Sequence, residues 1–466
     1  MPSRPNILYF ITHDTGRMLG CYERPIRFSP NLDRFARAGI TFNRTFCQAP
    51  CCGPSRNCAM TGKYSHVTNT LGLGGMGWCL PPEEWTIVDY LNEAGYETVH
   101  MGFCHERRYG EMRYQVDGEY GVDERYWQDD ARTVVDNAIE YLENRDDSKP
   151  FYLNLATHQT HTGSTRGAKW PNYGGPVPED EVWIPPTMPD LPPIRAYFAR
   201  WNASLQYLDH HFGRLMEAID RLGLRENTVI VFTTDHGISA LRGKGHVYDF
   251  GVEIAHLMHL PFGMRNGYGI NHLIPNVDFM PTLLDACGVT YPGNLNGRSF
   301  WPLLKDEEYT PHDTIFIERN FHGEYESDTS ETYIDKYDPQ RGVRTKDYHY
   351  IRHFRPDARE RLPYRREIEG FELRRGTECS IDGVYLPELH DARPAEELYD
   401  VRHDPWEQWN LIDRPEYAGI KKDLSARLNE WMRATNDPAL SPEMPLPLES
   451  ECFWPTKHTP ITVAHR

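Results

Sequence analysis

The sequence lacks several features, and each absence excludes a class of protein. No apolar run approaches the length of a membrane span, and residues 1–5 lead straight into a strand-like run without the apolar core of a signal peptide. Positive charge is scarce, because 50 lysines and arginines face 68 aspartates and glutamates, which gives a net charge of −18. This balance argues against binding to nucleic acid or to an anionic membrane. We therefore expect a cytoplasmic protein that does not span a membrane.

The ten cysteines show no regular spacing that would indicate a disulfide framework, and no internal repeat is visible. In a chain of this length without a signal peptide, we interpret them mostly as free thiols in a reducing compartment. The chain has 466 residues, which exceeds one ordinary domain, and its hydrophobic fraction of 39% is enough for a large core. We expect a catalytic domain with a smaller appendage.

Strand-like and helical patterns alternate along the first part of the chain. Four apolar runs have the composition of strands that are buried on both faces of a sheet, at residues 6–12, 96–101, 151–156 and 229–233. Helical periodicity lies between them, most clearly over residues 197–222, where apolar side chains recur every three or four positions. The alternation predicts an α/β fold with a doubly wound, mostly parallel sheet.

The pattern changes near residue 342. A small antiparallel sheet is indicated by residues 343–354 and 398–400. One amphipathic helix is indicated by residues 420–432, and the C-terminal tail that follows is rich in proline. The sequence therefore predicts a catalytic domain at residues 1–341 and an α+β subdomain at residues 342–466. Residues 163–195, rich in glycine and proline, are predicted to form a surface loop near the active-site face.

Each of the four predicted strands is followed by a histidine or an aspartate. His13 and Asp14 follow the first strand, and Asp235 and His236 follow the fourth. In open α/β sheets, ligands bind at the carboxyl ends of the strands. Two carboxylates and two imidazoles at these ends would therefore form a site for a divalent cation. One such residue alone is usually a turn or cap residue, but two His–Asp pairs on separate strands favour a metal site.

Residues 51–63 combine a thiol, a proline turn and a fixed cation. Cys52 opens a C-x-P-S-R pentapeptide, and T-G-K follows five residues after Arg56. A thiol at the start of a helix beside an arginine is expected to have a lowered pKa and raised reactivity.

Several other cations are candidates for holding an anion in this acidic protein. Lys244 lies between two glycines, which allow the backbone to approach a ligand closely. Lysine and arginine donors suit the oxygens of sulfate or phosphate. The further candidates are Lys63, His105 and His161.

These motifs resemble those of the type I sulfatases of the alkaline phosphatase superfamily, and the resemblance covers nearly the whole chain. The strongest match is residues 52–56 together with residues 61–63. Residues 231–237 resemble the strand that supplies metal ligands in that family, and residues 244–251 resemble the segment whose lysine binds the sulfate. His161 falls where the family has a catalytic histidine.

The resemblance implies a mechanism. A separate formylglycine-generating enzyme oxidises Cys52 to formylglycine, which hydrates to a geminal diol. One hydroxyl attacks sulfur, lysines and the metal ion hold the sulfate oxygens, and a histidine protonates the leaving group. The second hydroxyl then loses its proton, the aldehyde re-forms and sulfate leaves. The implied catalytic residues are Cys52, Arg56, Lys63, His105, His161 and Lys244, and the implied metal ligands are His13, Asp14, Asp235 and His236.

Two positions depart from the family pattern. His13 stands where the family has a first aspartate, and Phe103 stands where it has a lysine near the leaving group. The family's usual ion is calcium, which prefers oxygen ligands, so the imidazoles make manganese or another transition metal the alternative. A second alternative is that His13 contacts only the nucleophile and does not bind the metal. The missing lysine implies that the leaving group is stabilised in another way.

The C-terminal third looks closest to the heparan N-sulfatase (sulfamidase) branch, at residues 404–411 and around Trp431. This likeness predicts a sulfated sugar as the substrate, with N-sulfate and O-sulfate both open. Tryptophan and tyrosine are plentiful, which suits stacking on sugar rings.

Three alternatives remain at this point. A phosphonate monoester or phosphodiester hydrolase on the same fold can use the same modified cysteine. A thiol or redox enzyme would use Cys51 and Cys52 directly, but the sequence has no C-x-x-C motif. A binding protein with an inactive sulfatase fold would explain Phe103 but not the intact C-x-P-S-R motif.

Overall fold

The computed structural model describes residues 4–74, 77–107, 112–117, 130–161, 177–321, 337–357 and 393–447, and the backbone of three short strands between residues 371 and 385. The strands in chain order are β1 (Asn6–Thr12), β2 (Ile40–Phe42), β3 (Thr45–Phe46), β4 (Glu97–Gly102), β5 (Val116–Asp117), β6 (Phe151–Ala156), β7 (Thr228–Thr234), β8 (His256–His259), β9 (Tyr268–Ile270), β10 (Ile274–Pro275), β11 (Thr314–Phe321), β12 (Tyr337–Thr345), β13 (Tyr348–His353), β14 (Phe371–Arg374), β15 (Glu378–Ile381), β16 (Val384–Tyr385) and β17 (Glu396–Asp400). The helices are α1 (Pro30–Ala38), α2 (Cys52–Thr61), α3 (Ile87–Glu93), α4 (Ala131–Asn144), α5 (Pro192–Arg221), α6 (Asp249–Val252), α7 (Phe279–Ala286), α8 (Trp301–Leu304) and α9 (Ala418–Ala434).

The large sheet has the strand order β5-β4-β6-β1-β7-β8-β2-β9. Its strands pair in parallel except at β8, which runs antiparallel to both β7 and β2. The predicted doubly wound, mostly parallel α/β sheet is confirmed, and the four strands predicted from apolar runs, β4, β6, β1 and β7, are contiguous at its centre.

Helices cover both faces of this sheet, which is why its central strands are apolar at nearly every position. Leu8 and Phe10 of β1 pack in one core with residues of α4 and α5. Ile7 and Ile11 point to the other face and share a core with residues of α2, α3 and α7. The nucleophile helix predicted from the sequence, α2, therefore lies against the same sheet whose strand ends carry the polar residues.

A second, four-stranded antiparallel sheet has the order β11-β12-β13-β17, and α9 packs on it through Leu424, Leu428 and Trp431. The predicted C-terminal sheet and helix are confirmed. The sheet begins earlier than the predicted boundary after residue 341, because its first strand starts at Thr314, and a cut after 341 would divide β12. The C-terminal tail beyond residue 447 and residues 163–176 of the predicted loop at residues 163–195 lie outside the described residues. The last residues of that predicted loop are helical instead, because α5 begins at Pro192.

None of the helices in the described part of the chain is long and apolar enough to cross a membrane. Seven cysteines there carry free thiols, whereas Cys79 is disulfide-bonded.

Candidate active site

The start of α2 is fixed to the end of β7. Cys51 is the N-cap residue of this helix and Cys52 is its first residue, and all ten residues of α2 are buried. The hydroxyl of Ser55 donates to the carbonyl oxygen of Asp235 at 2.5 Å. The Arg56 guanidinium donates from Nε and Nη2 to Asp235 Oδ2 at 3.3 and 3.2 Å. These contacts hold Cys52 beside the carboxyl ends of the strands.

The reactive-thiol interpretation of Cys52 is wrong in this structure. Burial, together with the hydrogen bond that the Cys52 thiol donates to Cys51, raises the pKa of Cys52 well above its ordinary value, although Lys244 and His236 act in the opposite direction. The positive end of the helix lowers the pKa of this thiol by less than the loss of hydration raises it, because the residue is only 3% exposed. A plain cysteine at this position is a poor nucleophile.

The four predicted metal ligands meet around Cys52. His13, Asp14, Asp235 and the Cys52 sulfur each offer a ligand atom within 4.8 Å of the others. His236 completes the group, because its Nε2 lies 3.4 Å from Asp14 Oδ1 and 3.4 Å from Cys52 Sγ. All five side chains are buried. The two strand ends thus converge as the sequence predicts.

The imidazole of His13 has the features of a metal ligand. It is 1% exposed, and within the described residues neither of its ring nitrogens makes a hydrogen bond. Its Nδ1 lies 3.0 Å from Asp14 Oδ1, and its Nε2 lies 3.7 Å from Asp235 Oδ2. A buried imidazole aimed at two carboxylates without hydrogen bonds suits a divalent cation.

The electrostatics of the site keep both carboxylates ionised. Burial alone would raise the pKa of Asp14, but Lys244 and the neighbouring imidazoles hold that pKa at about 2. Burial likewise acts against ionisation of Asp235, yet His236 and Arg56 hold its pKa well below the ordinary value. Burial lowers the pKa of His13 far below its usual range, which leaves this imidazole neutral and able to bind a metal.

Lys244 and His161 also lie at this site, whereas Lys63 does not. The Lys244 ammonium donates to Asp14 Oδ2 at 2.9 Å, and His161 Nε2 lies 3.8 Å from the same oxygen. Lys63 follows the far end of α2, about 15 Å along a ten-residue helix from Cys52, and pairs with Glu84 at 2.6 Å. The structure therefore does not bring Lys63 to the site.

Phe103 fills the space beside the catalytic candidates. Its ring centroid lies 4.0 Å from that of His105 and 4.6 Å from that of His13, and the Arg56 guanidinium lies over it at 5.1 Å. His105 is thereby held next to His13, with a ring separation of 6.2 Å. Burial, followed by Arg56, lowers the pKa of His105 well below its ordinary value.

Comparison with known families shows to which family the chain belongs. Residues 5–289 match the family model described as Sulfatase, and residues 237–367 match the model described as N-sulphoglucosamine sulphohydrolase, C-terminal. The chain belongs to the sulfatase family. It is a hydrolase of sulfuric esters or sulfamates, and the second match confirms its resemblance to the sulfamidase branch. The family generally uses a metal ion and formylglycine.

The relatives of this sulfatase include enzymes that are named for different sulfated substrates. It is 26% identical to an ulvan-active sulfatase of Formosa agariphila, over 96% of this chain and 78% of that protein. It is 25% identical to the human N-sulphoglucosamine sulphohydrolase, over 94% of this chain and 91% of that protein.

Solved structures share the fold. One that is bound to its substrate D-glucosamine-2-N,6-O-disulfate has a TM-score of 0.67 and 20% identity, and covers 94% of the sulfatase and 99% of that chain. A phosphonate monoester hydrolase from Silicibacter pomeroyi has a TM-score of 0.69 and 17% identity, with coverages of 94% and 97%.

Sequence reasoning did not single out His158 of this sulfatase as a site residue. Its ring is stacked on that of His13 at 5.8 Å and lies 4.9 Å from that of His161. The sequence did contain an indication, because His158 lies two residues after the end of β6, and β6 pairs with β1. The position of a histidine after a central strand was therefore sufficient to predict it.

Proposed function

We propose that this sulfatase removes sulfate from a sulfated sugar with a formylglycine that a separate formylglycine-generating enzyme makes from Cys52. The observation that carries the proposal is the position of Cys52, whose sulfur lies within 4.8 Å of ligand atoms of His13, Asp14 and Asp235. The sugar follows from the relatives, whose names include a sulphoglucosamine hydrolase, and from the neighbour bound to a glucosamine disulfate.

The residues around Cys52 have separate tasks in this proposal. Arg56 ties Asp235 to the start of α2 and contributes positive charge beside the attacking group. Lys244 lies where an ammonium can hold a sulfate oxygen once the substrate arrives. We assign the transfer of a proton to or from the leaving group to His105 and His161. Lys63 has no part in this set, because it pairs with Glu84 away from Cys52.

We propose that His13, Asp14, Asp235 and His236 hold one divalent ion. When bound, the ion supplies positive charge that favours the charge developing on the sulfate oxygens. The two carboxylates suit calcium, but calcium prefers oxygen ligands and two of the four donors are imidazoles. Calcium, the family's usual ion, is the ion that we propose, and the mixed donor set makes manganese or a similar transition metal the alternative.

Replacing His13 with aspartate is expected to change the ion preference of the site. The His13→Asp variant should bind calcium more tightly and manganese less tightly than the wild type, because an imidazole becomes a carboxylate at a position 3.0 Å from Asp14. Calorimetric titration of the chelator-treated protein with each ion measures both affinities without relying on activity. An unchanged ratio of the two affinities would show that His13 is not a ligand.

A phosphonate monoester or phosphodiester hydrolase is the second candidate, because an enzyme of the first kind has the same fold. Turnover of an aryl sulfate, an aryl phosphodiester and N-sulfoglucosamine by the matured protein separates the two. We expect the sulfated compounds to be cleaved with the higher kcat/KM. A large preference for the phosphodiester would overturn the proposed function.

A further inference from the structure

The Cys52 sulfur belongs to two groups of candidate metal ligands among the described residues. One is the group described above, in which the sulfur lies with His13, Asp14 and Asp235. In the other, the sulfur lies with one ring nitrogen of His13 and one of His105, and these three ligand atoms are also within 4.8 Å of one another. A thiol and two imidazoles differ in chemistry from a group with two carboxylates, so they suit a different ion.

The imidazole of His13 is a second observation that points to a ligand beside the sulfur. It is 1% exposed, and within the described residues neither of its ring nitrogens makes a hydrogen bond. Phe103 fixes His13 and His105 relative to each other, because its ring centroid lies 4.6 Å from that of His13 and 4.0 Å from that of His105. A buried imidazole without hydrogen bonds is thus kept next to the thiol and to a second imidazole.

The spacing of the three ligand atoms is close to that of a zinc site. Zinc binds sulfur at about 2.3 Å and imidazole nitrogen at about 2.0–2.1 Å, so tetrahedral ligand atoms lie about 3.5 Å apart. Atoms that are at most 4.8 Å apart reach this spacing with shifts of less than about 1 Å each. Oxygens of Asp14 and Asp235 lie within the same distance of the sulfur and can complete the tetrahedron.

The sulfur determines which ion the second group prefers. Thiolate and imidazole ligands favour zinc, whereas calcium prefers oxygen ligands. As the zinc–sulfur bond forms, the thiol proton passes to the solvent, because a thiol that coordinates zinc is deprotonated. The charge of the ion thereby offsets the burial that keeps the Cys52 thiol protonated when no ion is bound.

We propose that the unmodified chain binds zinc, or an ion with the same preference for sulfur, through His13, Cys52 and His105. His13 and Cys52 belong to both groups of ligands, so this ion and the ion of the matured enzyme exclude each other. Conversion of Cys52 to formylglycine removes the sulfur, and the site then prefers zinc less strongly over calcium or manganese. The proposal goes beyond the proposed function, since zinc binding by the unmodified chain requires no sulfated substrate.

Another cluster of candidate ligands lies away from Cys52. Asp249, His349 and Glu407 also offer ligand atoms within 4.8 Å of one another. The Arg344 guanidinium already donates three hydrogen bonds to the Asp249 carboxylate, at 2.8 to 3.0 Å. This cluster contains no sulfur, so a signal from a metal–thiolate bond distinguishes it from the site at Cys52.

Cobalt(II) tests for such a bond, because it replaces zinc and its bond to a thiolate gives a charge-transfer absorption band in the near ultraviolet. The chain is produced in cells without a formylglycine-generating enzyme and is treated with a chelator. We expect the band to appear with equimolar cobalt and to disappear when zinc is added. It should be absent from Cys52→Ala and should persist in Cys58→Ala, which removes another buried thiol of α2.

Calorimetric titration with zinc and calcium measures the ion preference. Cys52→Ser keeps a hydroxyl but not the sulfur, and His105→Gln removes one imidazole. Each should weaken zinc binding by about 100-fold or more, since the loss of an outer partner of a ligand alone costs about 10- to 100-fold. In Cys52→Ser, the calcium affinity should change by less than about threefold, because calcium gains little from sulfur. Circular dichroism checks folding, and Cys52→Ser carries the test if His105→Gln does not fold.

These measurements are independent of catalysis. Zinc binding that is equally strong in the wild type and in Cys52→Ser, or a thiolate band that is lost in Cys51→Ala but kept in Cys52→Ala, would overturn the proposed zinc site. Failure of the matured enzyme to release sulfate would overturn the proposed function and leave the zinc result unchanged.

Discussion

Replacing Cys52 with alanine is expected to abolish sulfate release while leaving the protein folded. The thiol is buried at the first residue of α2, so its removal deletes the only side chain from which the proposed formylglycine can form. Loss of the nucleophile should lower kcat to the level of the buffer control. Release of inorganic sulfate from N-sulfoglucosamine and thermal unfolding, measured on the same preparation, check both parts of this expectation.

Cys58 provides a matched control, because it is a buried thiol of the same helix. Cys58→Ala is expected to cost stability of about 1 kcal/mol but to retain sulfate release. Mass spectrometry of the peptide covering residues 45–63 shows which cysteine is converted to formylglycine. Turnover by a folded Cys52→Ala protein, or conversion at Cys51 instead, would remove Cys52 from the mechanism.

Replacing Asp235 with asparagine is expected to remove most of the bound metal. The Asp235 carboxylate accepts the Arg56 guanidinium and the backbone amides of Asp14 and His236, at 3.0 and 2.8 Å for the two amides. An amide keeps the shape but not the charge, and its NH₂ group would face these donors. We expect metal content well below one equivalent and a fall in kcat/KM of about 100-fold or more. Elemental analysis of the dialysed protein measures the first effect directly.

Asp209 supplies the control for the stability effect of losing a buried carboxylate. It lies on α5 and accepts the backbone amides of Asn31 and Leu32 at the start of α1, at 3.1 and 2.8 Å. Asp209→Asn should lower the free energy of unfolding by about 1–3 kcal/mol while keeping the metal and the activity. Full metal occupancy in Asp235→Asn would show that the site is misassigned.

The convergence of the metal ligands was predictable, whereas the position of Lys63 was not. His13, Asp14, Asp235 and His236 follow strands whose apolar composition marks them as central, and neighbouring parallel strands end at one edge. Lys63 belongs to the same sequence motif as Cys52, but helix geometry separates the two ends of α2 in space. Proximity in sequence is therefore a poor guide to proximity in the site when a helix intervenes.

The burial of the site residues and the partners that they contact could also not be predicted from the sequence. The pKa of Cys52 is set by the sheet and by the segments that cover α2, and no local pattern gives that desolvation. The position of Phe103 could not be predicted either, because only the folded chain shows that its ring lies between His13, His105 and Arg56. The start of the small sheet at Thr314 was missed because the change in sequence pattern was located only near residue 342.

The two sheets are joined next to the nucleophile, because the amides of Glu318 and Phe321 in β11 donate to the carbonyl oxygens of Gln48 and Leu71. The groups proposed to break the sulfate bond come from the large sheet and α2, whereas β11 belongs to the second sheet. A truncation that removed the second sheet would therefore also release the segments on both sides of α2. The position of Cys52 thus depends on both sheets, and the catalytic part of the chain is not a unit that can be cut out.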